Sequence, residues 1–309
     1  MTTALLTHPD CLTHVTPPGH PEQVARLERV LKALEPMALL RTVAPRAAED
    51  DLLRLHPKSH LDSLRAAVPA AGYAGLDGDT FLSPGSLDAA YRGAGAVVKA
   101  VDMVLSGAVQ NAFCAIRPPG HHAESETAMG FCFLGNAALA AKHALDHHGL
   151  KRVAVVDFDV HHGNGTQELL YDERRALLIA SQQMPLWPGS GGIDEVGLFD
   201  TVLNLPLSPG SGGVAMRQAY EAQAFPRLEA FRPELIIISA GFDAHRADPL
   251  AELNWSTDDF RWLTTRLCAL AGTLCQGRVV STLEGGYDLD ALADACAAHV
   301  QVLIDSATI

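Results

Sequence analysis

Six short apolar runs, rich in β-branched residues, show no regular alternation with polar ones: AFCAI (112–116), RVAVVDF (152–158), ALLIA (176–180), TVLNL (201–205), LIIISA (235–240) and RVVSTL (278–283). Such strands are covered on both faces, as in a parallel sheet, which needs helical crossovers to connect them. The segments between most of them supply that pattern. Residues 21–35 place Pro21 early and Val24, Leu27, Leu31 and Leu34 on one face, and 136–148 is Ala-rich and stopped by Gly149. Further helices are predicted over 86–105, 213–230, 256–275 and 289–305, with Ser256 and Asp259 spaced as a capping box. The expected fold class is α/β: one domain over 1–309, a mostly parallel multi-stranded sheet with helices on both faces.

A chain of 309 residues, 48% hydrophobic, has enough apolar matter for one large core. Its longest apolar stretches, LIIIS and VAVV, are strand-sized, and MTTALLTHPDC lacks the basic flank and long apolar stretch of a signal peptide. A cytoplasmic enzyme without membrane association is therefore expected. The six cysteines form no C-x-x-C pair, so free thiols are expected. A formal charge of −13 without a basic stripe argues against nucleic-acid binding and weakly favours cationic substrates.

In open α/β sheets ligands bind beyond the carboxyl ends of the strands. Four predicted strand ends carry unusual residues: RPPGHHA with His121 and His122, DVHHGNG with Asp159 and His161, GFDAH with Asp243, and EGGYDL with Tyr287. PGHPEQ (18–23) and MPLWPGSGG (184–192) are candidate loops around the same site. On an extended strand Asp157, Asp159 and His161 share one face and Phe158 and Val160 the other, which also turns His162 away. Asp and His at i and i+2 suit one metal ion. With Asp243 from a neighbouring strand end they make three ligands and leave a coordination position open, as catalytic zinc requires. Taken singly, His162 or His245 reads as a cap or solvated loop residue, and His121 with His122 could satisfy loop carbonyls. The convergence of all four strand ends favours a site.

These segments, with GFCFLGN, resemble the signature segments of the zinc-dependent histone deacetylase family, especially its class II branch and bacterial relatives. HPDCLTHVTPPGHPEQVARLERV resembles that branch too, so the likeness runs from about residue 8 to about residue 290. The resemblance implies an arginase/deacetylase-like fold with Zn2+ held by Asp159, His161 and Asp243. It implies that His122 is the general base and later acid, that His121 helps to polarise the site, and that Tyr287 assists in polarising the amide carbonyl. Asp157 and Asn164 match the partners that orient His121 and His122. Asp157, Asp159, His161, Ser181 and Gln182 match a structural K+ site, several through backbone carbonyls. Phe131 and Trp187 match the two aromatic walls of an acyl tunnel, and Gly130 the position beside the substrate's methylene chain. Asp77, with Asp79 as competitor, matches an acid at the rim, and Leu250 a rim position where polyamine-specific relatives carry glutamate.

The implied reaction is hydrolysis of an acetylated amine: acetyl-lysine in a peptide or protein first, an acetylated polyamine or other small acylated amine second. A binuclear manganese amidinohydrolase would need more carboxylates than these segments supply. A non-catalytic acyl-lysine binding module would leave the filled catalytic positions without a purpose.

Overall fold

The computed structural model describes residues 2–307. Its strands are β1 (Thr3–Thr7), β2 (Leu40–Val43), β3 (Ala74–Gly75), β4 (Phe81–Leu82), β5 (Asn111–Cys114), β6 (Val153–Asp157), β7 (Ala176–Gln183), β8 (Val202–Leu207), β9 (Leu235–Ala240) and β10 (Val279–Leu283). Eight of them form one sheet in the order β2-β1-β5-β10-β9-β6-β7-β8. Every neighbouring pair in it is parallel. β3 and β4 form a separate antiparallel hairpin. All six predicted strands are present, and β5, β6, β9 and β10 are buried along their whole length.

Two sheet strands lie outside those six. The edge strand β2, LRTV, is largely exposed and so needs no apolar run, while β1 is a five-residue TALLT whose apolar part is only three residues long. β7 extends three polar residues beyond its apolar run, through Ser181, Gln182 and Gln183, all buried.

Helices Ser86–Leu105 and Asn136–Asp146 pack together against the sheet, and Val24–Leu34, Thr257–Cys275 and Leu289–Ala307 form a second layer. The capping box is formed: Ser256 N–H donates to the Asp259 carboxylate at 2.8 Å. The helix predicted over 213–230 runs from Gly213 to Phe231 but widens to a π turn at Tyr220–Ala224. Pro226, just past it, has no N–H to donate and crowds the preceding turn, a strain that a π turn accommodates.

The buried face of Val24–Leu34 is Arg26, Leu27, Val30 and Leu34, while Val24 and Leu31 are half-buried. The helix is rotated from the expected face because an arginine is drawn inward, for reasons that the site explains. All six cysteines are free and buried. Among the described residues no helix is long and apolar enough to cross a membrane.

Candidate active site

β5, β10, β9 and β6 are consecutive in the sheet, so the four unusual strand ends open at one edge. After β6 the chain leaves extended geometry. Asp159 N–H donates to Asp157 Oδ1 and His161 N–H to Asp159 Oδ1, each at 3.0 Å, so short side-chain turns hold the segment. The alternation persists through it. Phe158 packs in the core 5.8 Å from Phe242 and 5.9 Å from Phe260, ring to ring, which anchors the segment between its polar residues.

Asp159, His161 and Asp243 each offer a ligand atom within 4.8 Å of the others. His161 Nδ1 lies 3.3 Å from Asp159 Oδ1 and 3.1 Å from Asp243 Oδ2. The remaining carboxylate oxygens are held by backbone: Gly285 N–H donates to Asp159 Oδ2 at 2.8 Å and Val160 N–H to Asp243 Oδ1 at 2.9 Å. A Cβ on Gly285 would stand 2.2 Å from Asp243 Oδ2, so this approach requires glycine.

Both carboxylates are buried, and among the described residues no lysine or arginine forms an ion pair with either. Burial, and the Asp159 charge beside it, push the Asp243 acid up to about 7. Two buried acids converging on one imidazole, with no lysine or arginine beside them, are a donor set that fits a divalent metal such as Zn2+.

His121 Nδ1 is 3.1 Å from Asp157 Oδ2. Burial opposes its charged form, but Asp159 and Asp157 outweigh burial and push the ring up to about 10. His122 behaves oppositely: burial, then the charges of His121 and His161, hold it well below the usual histidine range. Its tautomer follows from its neighbour. Asn164 Nδ2 donates to Glu124 Oε1 at 2.8 Å, so Asn164 Oδ1 faces His122 and accepts the Nδ1 proton at 2.8 Å. His122 Nε2 is thereby left with a free lone pair.

A cavity of about 330 Å³ opens onto this centre, lined by His122, His161 and Tyr287 together with Gly130, Phe131, Leu186, Trp187, Leu250, His20, Pro21, Gly78, Asp79 and Phe81. Both loops expected around the site therefore contribute. Trp187 is 43% exposed, its ring 4.7 Å from His122, which excludes plain core packing. Gly130 has φ +55°, and a Cβ there would lie 2.5 Å from His122 and 2.6 Å from Trp187. Phe131, at φ +68°, is held by its N–H donating to Thr80 Oγ1 at 3.1 Å.

Asp77 needs correction as a rim acid. Its carboxylate caps its own turn by accepting from Asp79 and Thr80 N–H, and Asp79 lines the cavity instead. His162 is buried rather than solvated, 2.8 Å from Ser190 Oγ and 3.0 Å from Gln167 Oε1, away from the acid pair. His245 does serve its own loop, accepting from Ala247 N–H at 3.2 Å.

Sequence reasoning missed the network behind Tyr287. Glu22 is fully buried. Its two oxygens accept from Arg117 at 2.5 and 2.7 Å, one of them also from Arg26 at 2.9 Å, and His14 stands 3.3 Å away. Arg26 also donates to the carbonyls of Gly286 and Glu284, each at 2.6 Å, and lies 4.8 Å over the Tyr287 ring. Glu284 itself, pushed up to about 7 by burial, accepts from the N–H groups of Gly120 and His121 at 2.6 and 3.1 Å. The only sequence signal was a charged residue on the helix side next to Leu27.

Glu22→Gln, which strands two buried arginines, is expected to cost about 3–5 kcal/mol, read from the denaturant midpoint. Burial alone would raise this acid, but Arg117 and His14 hold it well below the usual range. Its contribution is therefore present above pH of about 4.3 and lost as pH falls through the folded value, so the variant's stability should fall less steeply in acid.

An all-parallel α/β sheet with an Asp/His centre and an aromatic-walled cavity at its carboxyl edge defines the arginase/deacetylase fold. A family model described as "Histone deacetylase domain" matches residues 20–303. The histone deacetylase-like amidohydrolase of Pseudomonas aeruginosa is 42% identical over 287 residues, covering 88% of this chain and 74% of that protein. The polyamine deacetylase HDAC10 of Homo sapiens is 35% identical over 327 residues, covering 98% of this chain and 48% of that protein. The solved structure described as the HDA15 HD domain superposes with a TM-score of 0.93 at 34% identity, covering 100% of this chain and 89% of that one. The chain belongs to the histone deacetylase family.

Proposed function

We propose that this chain hydrolyses the amide of an acetylated amine, with Zn2+ held by Asp159, His161 and Asp243. The buried acid pair without a lysine or arginine partner, facing an aromatic-walled cavity, carries this reading. When bound, Zn2+ supplies Lewis acidity to the water and to the amide carbonyl. His122, neutral and with Nε2 free, takes the proton from the attacking water and returns it to the leaving amine. The charged His121, fixed by Asp157, keeps His122 uncharged until that transfer. Tyr287 lies in the cavity wall, and burial, only partly offset by Arg26, holds its phenol well above the usual range. It therefore keeps its proton and donates to the carbonyl oxygen as negative charge develops there. Products are acetate and a free amine.

The K+ site at Asp157, Asp159, His161, Ser181 and Gln182 belongs to the same reading. Its support is that Gln182 Oε1 is buried without a hydrogen-bond partner on β7, beside the strand that ends at Asp157.

Acetyl-lysine in a peptide or protein is the proposed substrate class, because the apolar Leu250 at the cavity wall offers nothing to a second ammonium group. Comparing kcat/KM for an acetyl-lysine peptide, acetylspermidine and acetylputrescine tests this, and a clear preference for either polyamine would reverse it. Leu250→Glu is expected to shift the ratio toward acetylspermidine by roughly tenfold, the scale of one added charge attraction at the rim. An unchanged ratio would remove Leu250 from the selectivity argument.

A further inference from the structure

We propose that His143, His147, His148 and Asp102 form a second divalent transition-metal site, at the end of the sheet opposite the hydrolytic centre. Helix Ser86–Leu105, which carries Asp102, leads into the start of β5, and helix Asn136–Asp146 leads into the start of β6. The cluster therefore sits at the amino edge of the sheet, far from the cavity at the carboxyl edge.

The four residues each present a ligand atom within 4.8 Å of the others. His143 and His147 are one helical turn apart with rings stacked at 4.7 Å and 10°. Asp102 Oδ1 lies 2.8 Å from Nε2 of both His143 and His148. Ligand atoms on a tetrahedral zinc stand ~3.3 Å apart, so modest side-chain adjustment closes the shell. His147 and His148 are exposed, which gives the ion a path from solvent. Three imidazoles with one carboxylate suit Zn2+, Ni2+ or Cu2+ better than Mg2+ or Ca2+.

His143 supplies an independent observation. It is 3% exposed, and its Nδ1 is buried with no hydrogen-bond partner, 3.8 Å from an Asp51 carboxylate oxygen. If Nε2 carried the only ring proton for Asp102, the Nδ1 lone pair would face that carboxylate, a repulsive arrangement in a buried place. With Nε2 on a metal the proton moves to Nδ1 and faces Asp51, the arrangement by which carboxylates support metal-bound imidazoles.

Equilibrium dialysis of the full chain against micromolar Zn2+, followed by counting metal per chain, tests the site. His147→Ala/His148→Ala, at exposed positions, is expected to hold one equivalent fewer than the wild type with turnover on acetyl-lysine unchanged. In Co2+-loaded protein, the visible absorption of the second equivalent should be absent from the variant. Equal metal content in the two proteins would overturn the proposal, as would uptake of the extra equivalent only in millimolar excess.

Discussion

Tyr287→Phe is expected to lower turnover of an acetylated amine by roughly 10²-fold or more while the metal content stays at the wild-type level. The substitution removes one oxygen and leaves the ring, so its contacts with Arg26 at 4.8 Å and Phe131 at 5.9 Å are retained. Substrate binding should change little, because the hydroxyl matters most once charge has developed on the carbonyl oxygen. The loss should therefore appear in kcat and kcat/KM together, with KM close to its starting value. Turnover near the wild-type level would sink the role assigned to this residue and leave the rest of the site intact.

Asp243→Asn is expected to lose the metal equivalent held by Asp159, His161 and Asp243 and, with it, on the order of 4 kcal/mol of barrier lowering, roughly 10³-fold in rate. Asparagine keeps an oxygen for Val160 N–H, so the loop that supports the site loses charge without losing its hydrogen bond. Metal analysis, turnover and circular dichroism on one preparation separate the outcomes. A folded, inactive variant holding one metal equivalent fewer than the wild type supports the proposed centre, and a folded variant with full activity refutes it. Two manganese ions per chain in the His147→Ala/His148→Ala variant, where the second proposed site is removed, would move the reading to the amidinohydrolase class.

The sheet was legible where burial imposes a pattern. β5, β6, β9 and β10 are covered on both faces, and their apolar runs follow from that. β2 left no such mark because an exposed edge strand can be built from LRTV. The acid pair and the two histidines could be found because polar residues cluster where apolar strands stop, and the family resemblance assigned them separate roles. The Glu22 network could not be found that way. Glu22 and Arg117 are 95 residues apart in sequence, and Arg26 is 260 from the Gly286 carbonyl it grips, distances that no local periodicity records. Asp77 and Asp79 illustrate a finer limit: two acids in one turn look alike until backbone hydrogen bonds decide which one is turned inward.

Arg26 and Glu22 have a consequence for how the molecule comes apart. The buried Arg26, paired with Glu22, donates to the Gly286 and Glu284 carbonyls of the loop bearing Tyr287, so that loop cannot open without leaving a buried guanidinium short of its acceptors. They should behave as one cooperative opening unit, with the amides of Gly285 to Tyr287 exchanging hydrogen at the rate set by the amino-terminal helix rather than by their own loop. Loss of the amino-terminal helix would then silence catalysis through the Tyr287 loop, even though no residue of that helix lines the cavity.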